Sequence, residues 1–422
     1  MNENLLHYIW KHRLFTSPVL KAVSGENILV LKAGEHNHDA GPDFFNARIK
    51  VDDTEWAGNV ELHLKTSDWE KHRHQNDKRY HNIILHVVYE HDKNGEQNCP
   101  VVELKSYISE ELIHRYRQLI LPQHRIPCAD HLTHIDAFTL RHWMDRVLTE
   151  RLQHKCEPIE ALLAKTRNNF EETFYIWLMR ALGLKVNADA FEQLATQLPL
   201  KVLAKHKSNL LQLEALLLGC AGMLPTKTKD EYARQLQAEF TFLQHKYRLN
   251  IMPLERWKWL RLRPGNFPEL RLAQMASLIH QSSHLLSRLL ETEKADDALL
   301  FFKVQASAYW HNHYRLGVES ETTVSKKLGT TTARLLLINA VIPFLFMYGE
   351  RKHEPHIKEK ALMWLEHLPA EQNSTLQEWA KLGINAQNAG DSQALLTLQK
   401  EYCNFTRCLE CSIGHKILNS NA

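Results

Sequence analysis

Asp43 and Glu61 are the residues whose type and spacing first suggest chemistry. Asp43 closes the turn Gly41-Pro42-Asp43, just before a β-type run at 45–51. Glu61 follows 18 residues later on a second run, where it alternates with His63 and Lys65. Alternate residues of a strand point to one face, so Glu61, His63 and Lys65 share a face. If the two runs are neighbouring strands, Asp43 and Glu61 meet near one end of a sheet. Two carboxylates at an open edge suit Mg²⁺ or Mn²⁺, which prefer oxygen and keep bound water. His63 or Lys65 would then orient or deprotonate the attacking water. The plainer reading is a common turn and a strand glutamate that faces solvent or pairs with a cation.

Histidine is abundant, with 26 in 422 residues, and it is unevenly placed. Eight (His36, His38, His63, His72, His74, His81, His86 and His91) fall between positions 36 and 91, more than twice an even share. Histidine ligates metals, carries protons near neutral pH and, when charged, contacts phosphate. His36 and His38 flank the loop leading to Asp43. His72, His74, His81 and His91 read as solvated surface residues. His86, inside an apolar run, reads as a hydrogen-bonded core histidine or a site residue, and His63 alone has a position that argues for chemistry.

Three of the seven cysteines crowd the C-terminus as Cys403-x4-Cys408-x2-Cys411. A Cys-x2-Cys pair grips one metal ion or one edge of a cluster, because the turn brings both sulfurs together. Cys128 is the preferred fourth ligand, with Cys156 and His415 as alternatives. Cys99 and Cys220 read as small core residues. Structural Zn²⁺, an iron–sulfur cluster and unliganded thiols all remain open.

A fourth feature is basic. Residues 245–271 carry seven Lys/Arg against two acids, a local +5 that exceeds the whole chain's +3. Tyr247, Trp257, Trp259 and Phe267 are interleaved. Arginines beside aromatics follow a phosphate backbone and stack on unpaired bases, with Arg263 and Arg271 the preferred phosphate contacts. Alternatively the tryptophans pack in a core and the cations form its solvated rim.

The elements needed to position these groups are legible in outline. Helical spacing at 5–15 is followed by β-type runs at 27–32, 45–51, 59–64, 82–89 and 101–104, then helical spacing at 109–119. Turn chemistry at Gly41-Pro42-Asp43, Asp52-Asp53 and Lys93-Asn94-Gly95 separates the runs. From about 135 onward the period is helical, notably at 140–152, 170–182, 208–223, 270–290, 331–348 and 374–400. The expected architecture is α+β: an α/β domain at 1–125 and a large all-helical domain at 126–422 that carries the cysteine cluster.

Composition limits the alternatives. With 44% hydrophobic and 24% charged residues the chain is not of a disordered type, and 15 Gly and 14 Pro exclude fibrous sequence. A net charge of +3 gives no chain-wide polyanion binder, so any nucleic-acid surface is local. The start lacks a signal-peptide pattern, and the apolar stretch 335–348 is interrupted by Asn339 and Pro343 and expected to be too short for a bilayer. An odd cysteine count argues against a disulfide framework. The expectation is a cytoplasmic protein with no membrane partner.

Gly41-Pro42-Asp43 with Glu61-Leu62-His63 resembles the PD-(D/E)XK, or restriction-endonuclease-like, nuclease superfamily. There an Asp starts the second core strand and an acid-x-Lys lies on the third. The departure is His63, which stands where that family has lysine, with Lys65 one strand period further. The stretches Gly41-Pro42-Asp43-Phe44, Gly58-Asn59-Val60-Glu61-Leu62-His63, Ser67-Asp68-Trp69, Ile84-Leu85-His86-Val87-Val88 and Arg263-Pro264-Gly265-Asn266-Phe267-Pro268, with the terminal cysteines, also resemble a bacterial family of unknown function. One remote cysteine plus three near the C-terminus resembles the iron–sulfur staple of some PD-(D/E)XK exonucleases. That resemblance implies a 4Fe-4S cluster tying the chain's end to the nuclease core, with Zn²⁺ the rival.

These readings converge on a metal-dependent nuclease acting on DNA or RNA. Asp43 and Glu61 would hold Mg²⁺ or Mn²⁺, and His63 or Lys65 would activate water. A non-catalytic nucleic-acid-binding or scaffold protein on a degenerate nuclease fold is one alternative. A hydrolase of a smaller phosphate ester is another.

Overall fold

The computed structural model describes residues 1–37, 39–94, 98–121, 124–282, 284–321 and 323–419. His38 and Gly95, both singled out in the sequence, lie outside the described residues. The architecture is mixed α+β, with strands concentrated near the N-terminus and helices thereafter. The chain divides into two compact units, Met1–Asp145 with Thr397–Ala422, and Arg146–Leu396. The expected boundary at 125 thus lies at 145, and the cysteine-bearing end belongs with the first unit rather than with the helical one. That end is held there by packing: the helix Ser412–Asn419 lies against the helix Glu110–Ile120, and Tyr8 Oη is 2.7 Å from His415 Nδ1.

The first unit is built on a seven-stranded sheet. Its strands are β1 (Val19–Lys21), β2 (Asn27–Lys32), β3 (Glu35–His36), β4 (Phe44–Val51), β5 (Thr54–Lys65), β6 (Ile83–Glu90) and β7 (Val101–Glu103). The order is β1-β2-β4-β5-β6-β7, with β3 paired to the start of β4. From β1 to β5 neighbours run antiparallel, whereas β5–β6 and β6–β7 are parallel. Val51 and Thr54 close a two-residue hairpin whose first residue, Asp52, takes φ 48°.

Along β5, Val60, Glu61, Leu62 and His63 are all buried, so this stretch is covered on both faces. The helix α1 (Glu3–His12) packs on β5 through an apolar stripe of Leu5, Leu6, Ile9 and Trp10. A parallel β5–β6 pair cannot be joined by a tight hairpin, so residues 66–82 must cross over the sheet. This crossover contains α2 (Asp68–Lys71), which also packs on β5. Gly58 permits the close approach of the two strands, since a Cβ there would stand 2.4 Å from Ile84 Cγ2 and 2.8 Å from the Asn82 carbonyl.

The second unit is predominantly helical around a large apolar core. Within it, the helices Phe170–Leu182 and Leu184–Gln197 pack together, as do Leu210–Cys220 with Glu231–Tyr247 and with Pro268–Gln281. A small hairpin, His313–Arg315 with Val318–Glu319, interrupts the helices. The apolar stretch around Pro343 is longer than its sequence suggests. A π turn at Leu337–Val341 absorbs the proline, and one helix runs through Thr330–Lys352. Its 23 residues are long and apolar enough to cross a membrane, and 67% of the apolar window is buried within the structure. Asn339 is accommodated by accepting from Arg151 Nη2 at 2.9 Å.

Candidate functional site

The crossover from β5 to β6 lays imidazoles over one face of the sheet. Glu61 and His86 are register partners on adjacent strands, so with His63 they share that face. Asp68 shapes the first turn of the crossover by accepting from the Lys65 amide at 3.0 Å and from Lys71 Nζ at 2.6 Å. Trp69 is buried beside His86, with ring centroids 5.0 Å apart. Arg73 adopts φ 58°, which turns the chain between His72 and His74. Tyr80 then packs on the His74 ring at 3.9 Å.

Asp43 and Glu61 meet at the end of the β4–β5 pair, as their spacing predicts. The Asp43 amide donates to Glu61 Oε2 at 3.1 Å, and the Leu62 amide donates to Asp43 Oδ2 at 2.8 Å. This reciprocal clamp fixes both carboxylates. His7 on α1 adds a third contact, with its Nε2 3.4 Å from Asp43 Oδ2. Burial would raise the Asp43 pKa, but the hydrogen bond and charge of His7 and the Leu62 amide outweigh it and hold the group below its ordinary range. Glu61 moves the other way: burial and the adjacent Asp43 charge raise it, against the opposing pull of His74.

The free side of Glu61 faces imidazoles. Oε1 lies 3.2 Å from His74 Nε2 and 3.7 Å from His63 Nε2. His63 Nε2 is also 3.2 Å from His72 Nδ1, while its Nδ1 is 2.9 Å from His86 Nε2. One ligand atom from each of His63, His72 and His74 lies within 4.8 Å of the other two. Burial, then the neighbouring His86, His74 and His72, push His63 down to about 3, and burial likewise takes His86 to about 3. Both rings are therefore neutral at pH 7, which suits metal ligation and hydrogen bonding better than a general base tuned near neutrality.

Three expectations change here. His74 is 91% buried, not a solvated surface residue, because the crossover folds it under Tyr80. Lys65 is exposed and pairs in register with Glu90, about 13 Å along the strand from Glu61 at 3.3 Å per residue, so it stands apart from the carboxylates. The donors around Glu61 Oε1 are nitrogens, which fit Mn²⁺, Fe²⁺ or Zn²⁺ better than Mg²⁺. Two further residues join the site, His7 and His72. His7 sits beside the apolar stripe of an amphipathic helix, which is a signal for a partly buried titratable group. His72 and His74 acquire meaning only once β5 and β6 are known to be parallel.

The four cysteines Cys128, Cys403, Cys408 and Cys411 gather in the first unit. Cys128, Cys408 and Cys411 are buried, and burial raises all four thiols, Cys408 to about 12. Cys403 feels the charge of the other three, Cys128 that of Cys408 and Cys411, and Cys408 that of Cys411, so the four lie near one another. The indole N–H of Trp143 and the amides of Ile413 and Gly414 hydrogen-bond Cys411 and work against its upward shift. Gly414 is required by packing, since a Cβ there would meet the Cys408 carbonyl at 2.0 Å. The alternative ligand His415 is engaged with Tyr8, and Cys156 lies in the other unit.

In the basic segment, six of the seven cations, Arg263 among them, are exposed. Arg271 is not: it is buried and donates to Gln274, Asn266 and Thr332. Its guanidinium ties the core of the second unit together and does not face a phosphate in solvent. Trp257 is buried with its indole N–H on the Ala221 carbonyl, and Trp259 donates to Glu269. The aromatics therefore pack inward, and the exposed cations form the rim.

Over residues 3–374 the chain matches the family described as protein of unknown function (DUF2851). No curated protein and no solved structure matches it. The chain belongs to the DUF2851 family.

Proposed function

We propose that the protein is a metal-dependent hydrolase of phosphodiester bonds in DNA or RNA, with a restriction-endonuclease-like core in its first unit. The observation that carries this reading is the reciprocal clamp of Asp43 and Glu61, with imidazoles ranged around the remaining oxygen of Glu61. The strand scheme supports it, with an acid at the head of β4, an acid-x-His on antiparallel β5, and a parallel β6 reached by a crossover. A divalent ion bound at Glu61 would polarise the phosphoryl group and lower the pKa of bound water.

The chain's own residues supply orientation and proton transfer. Asp43 holds His7 by its Nε2, which orients the ring as a carboxylate orients a general base. His7 is thus the proton acceptor of this scheme, in place of Lys65. His63 keeps a neutral ring, and the Asp43 amide keeps Glu61 turned toward it. On the second unit, the exposed cations of the basic rim, Arg263 included, would offer phosphate contacts of their own.

We also infer that Cys128, Cys403, Cys408 and Cys411 hold a metal centre that staples the chain's end to this unit. A zinc site with Zn–S bonds of about 2.3 Å would bring sulfurs to within about 3.8 Å of one another. A 4Fe-4S cluster would hold the four sulfurs further apart, and metal analysis with visible absorption separates it from Zn²⁺.

The test uses purified protein with single- and double-stranded DNA and RNA, each with Mg²⁺, Mn²⁺, Fe²⁺ and Zn²⁺. Cleavage that is lost in Glu61→Gln supports the assignment; cleavage untouched by both Glu61→Gln and Asp43→Asn overturns it. A second reading is a binding-only protein on the same core. It is favoured by the buried, neutral His63 at the position where the nuclease superfamily has lysine. It predicts salt-dependent nucleic-acid binding without turnover under any of these ions.

A further inference from the structure

We infer that His63, His72 and His74, together with Glu61, form a binding site for a single divalent transition metal of the Zn²⁺, Fe²⁺ or Mn²⁺ class. This deepens the proposed function by naming the ligands and the class of ion, and so it concerns the same site. It does not depend on which reaction, if any, takes place there.

The separations are those of a coordination sphere. Metal–nitrogen bonds of about 2.0–2.1 Å in tetrahedral geometry place neighbouring ligand atoms about 3.3 Å apart. His63 Nε2 to His72 Nδ1 is 3.2 Å, His74 Nε2 to Glu61 Oε1 is 3.2 Å, and His63 Nε2 to Glu61 Oε1 is 3.7 Å. The three imidazole ligand atoms all lie within 4.8 Å of one another. A modest contraction around one ion would satisfy all four groups.

A purely structural role explains these atoms less well. His74 is 91% buried, and its Nε2 lies 3.2 Å from Glu61 Oε1 without a well-aligned hydrogen bond. A buried nitrogen that is poorly aligned with its partner loses part of that hydrogen bond, which a bound cation would replace. His63 and His72 face each other through two ring nitrogens 3.2 Å apart, a spacing that one N–H···N hydrogen bond fills in the metal-free protein and that a shared cation would take over.

The surroundings are those of a ligand set. A metal-bound imidazole usually fixes its second nitrogen on another group, and His63 Nδ1 does so on His86. The carboxylate ligand is likewise oriented, because the Asp43 amide holds Glu61 Oε2 and leaves Oε1 toward the imidazoles. His63, His74 and Glu61 are buried while His72 is exposed, so the group opens to solvent on one side. Three imidazoles and one carboxylate make a donor set for Zn²⁺, Fe²⁺ or Mn²⁺ rather than for Mg²⁺.

The experiment measures bound metal directly in the full chain. Wild type and the variants Cys408→Ser, His72→Ala and His74→Ala are stripped with chelator, reloaded with Zn²⁺ and desalted, and bound zinc is counted per chain. The expected result is one equivalent fewer in His72→Ala and in His74→Ala than in wild type, with that equivalent retained in Cys408→Ser. X-ray absorption on the Cys408→Ser protein should show nitrogen and oxygen neighbours only. Because His72 is exposed, His72→Ala is the variant least able to disturb folding, and circular dichroism checks that it does not. Equal zinc in wild type and both histidine variants overturns the site. Zinc bound by these histidines in a protein that cleaves nothing supports the site and removes the nuclease reading. Magnesium-dependent cleavage at wild-type rate by His72→Ala and His74→Ala, with no missing equivalent of zinc, does the reverse.

Discussion

His63 Nδ1 lies 2.9 Å from His86 Nε2, with both rings buried on the face that carries Glu61. The pair shares one proton, which directs the other nitrogen of His63 toward Glu61 and His72. Everything proposed for the site depends on these rings being neutral and fixed.

The pair makes acid sensitivity a property of the fold. An unfolded histidine titrates near 6.5, whereas burial holds His63 and His86 at about 3. Between those values the unfolded chain takes up protons that the folded chain refuses, so stability rises with pH across this window. The contribution is fully present above about pH 6.5 and is lost as the pH falls toward 3. Urea unfolding of metal-stripped protein should show a midpoint that declines from pH 6.5 to pH 4, and His86→Gln should flatten that decline. A wild-type profile without slope in this range would contradict the burial of neutral imidazoles.

Asp43 acts on Glu61 through the backbone as well as through charge. Its amide orients Glu61, while its carboxylate holds the Leu62 amide and His7. Asp43→Asn keeps the amide contact and removes the charge, so it separates the two roles. Metal affinity measured by calorimetry should fall about 10- to 100-fold, as when a metal ligand loses its supporting partner. Glu61→Gln should lose the ion altogether. Equal affinities for wild type and Asp43→Asn would confine Asp43 to shaping the turn.

How far the sequence reveals this site depends on which contacts are local. Asp43 and Glu61 are legible because a two-residue turn at Asp52-Asp53 fixes antiparallel register, and register follows from alternation. The strands at 27–32, 45–51 and 82–89 appear within a residue or two of their predicted limits. His72 and His74 are not legible, because a polar crossover has no period and its path depends on the parallel pairing of β5 with β6. The domain boundary shifts for a similar reason: the contact of the Ser412–Asn419 helix with the Glu110–Ile120 helix spans some 300 residues and leaves no local signal. The burial of Arg271 is not legible, because a cation in a basic stretch looks like its neighbours and only its helix face turns it inward.

The proposed cysteine centre would have a visible consequence. Burial raises all four thiols, so in metal-free protein they are protonated and slow to react with alkylating reagents near pH 7. A bound iron–sulfur cluster should make anaerobically purified protein brown, with iron by elemental analysis, and Cys411→Ser should be colourless and melt at a lower temperature. Zinc without iron would replace the cluster with a Cys₄ zinc site. Neither metal in wild type, with Cys411→Ser melting unchanged, would leave four packed thiols.

Arg263 and Arg271 separate binding from stability within one short segment. Arg263 is exposed, so its substitution should leave folding intact; Arg263→Gln should reduce the salt dependence of nucleic-acid binding by about one ion and weaken all sequences alike. Arg271 is buried on Gln274, Asn266 and Thr332, and burial lowers its pKa to about 10. Arg271→Ala strands those partners and opens a cavity, at a cost of about 2–4 kcal/mol. Its expected signature is a lower urea midpoint with little change in the salt slope of the remaining folded protein. Fluorescence anisotropy across a salt series, paired with urea unfolding of each variant, reads both effects. The opposite pattern, in which Arg271→Ala changes the salt slope and Arg263→Gln does not, would mean that the second unit must open at the Arg263–Pro268 turn to expose Arg271 to its ligand.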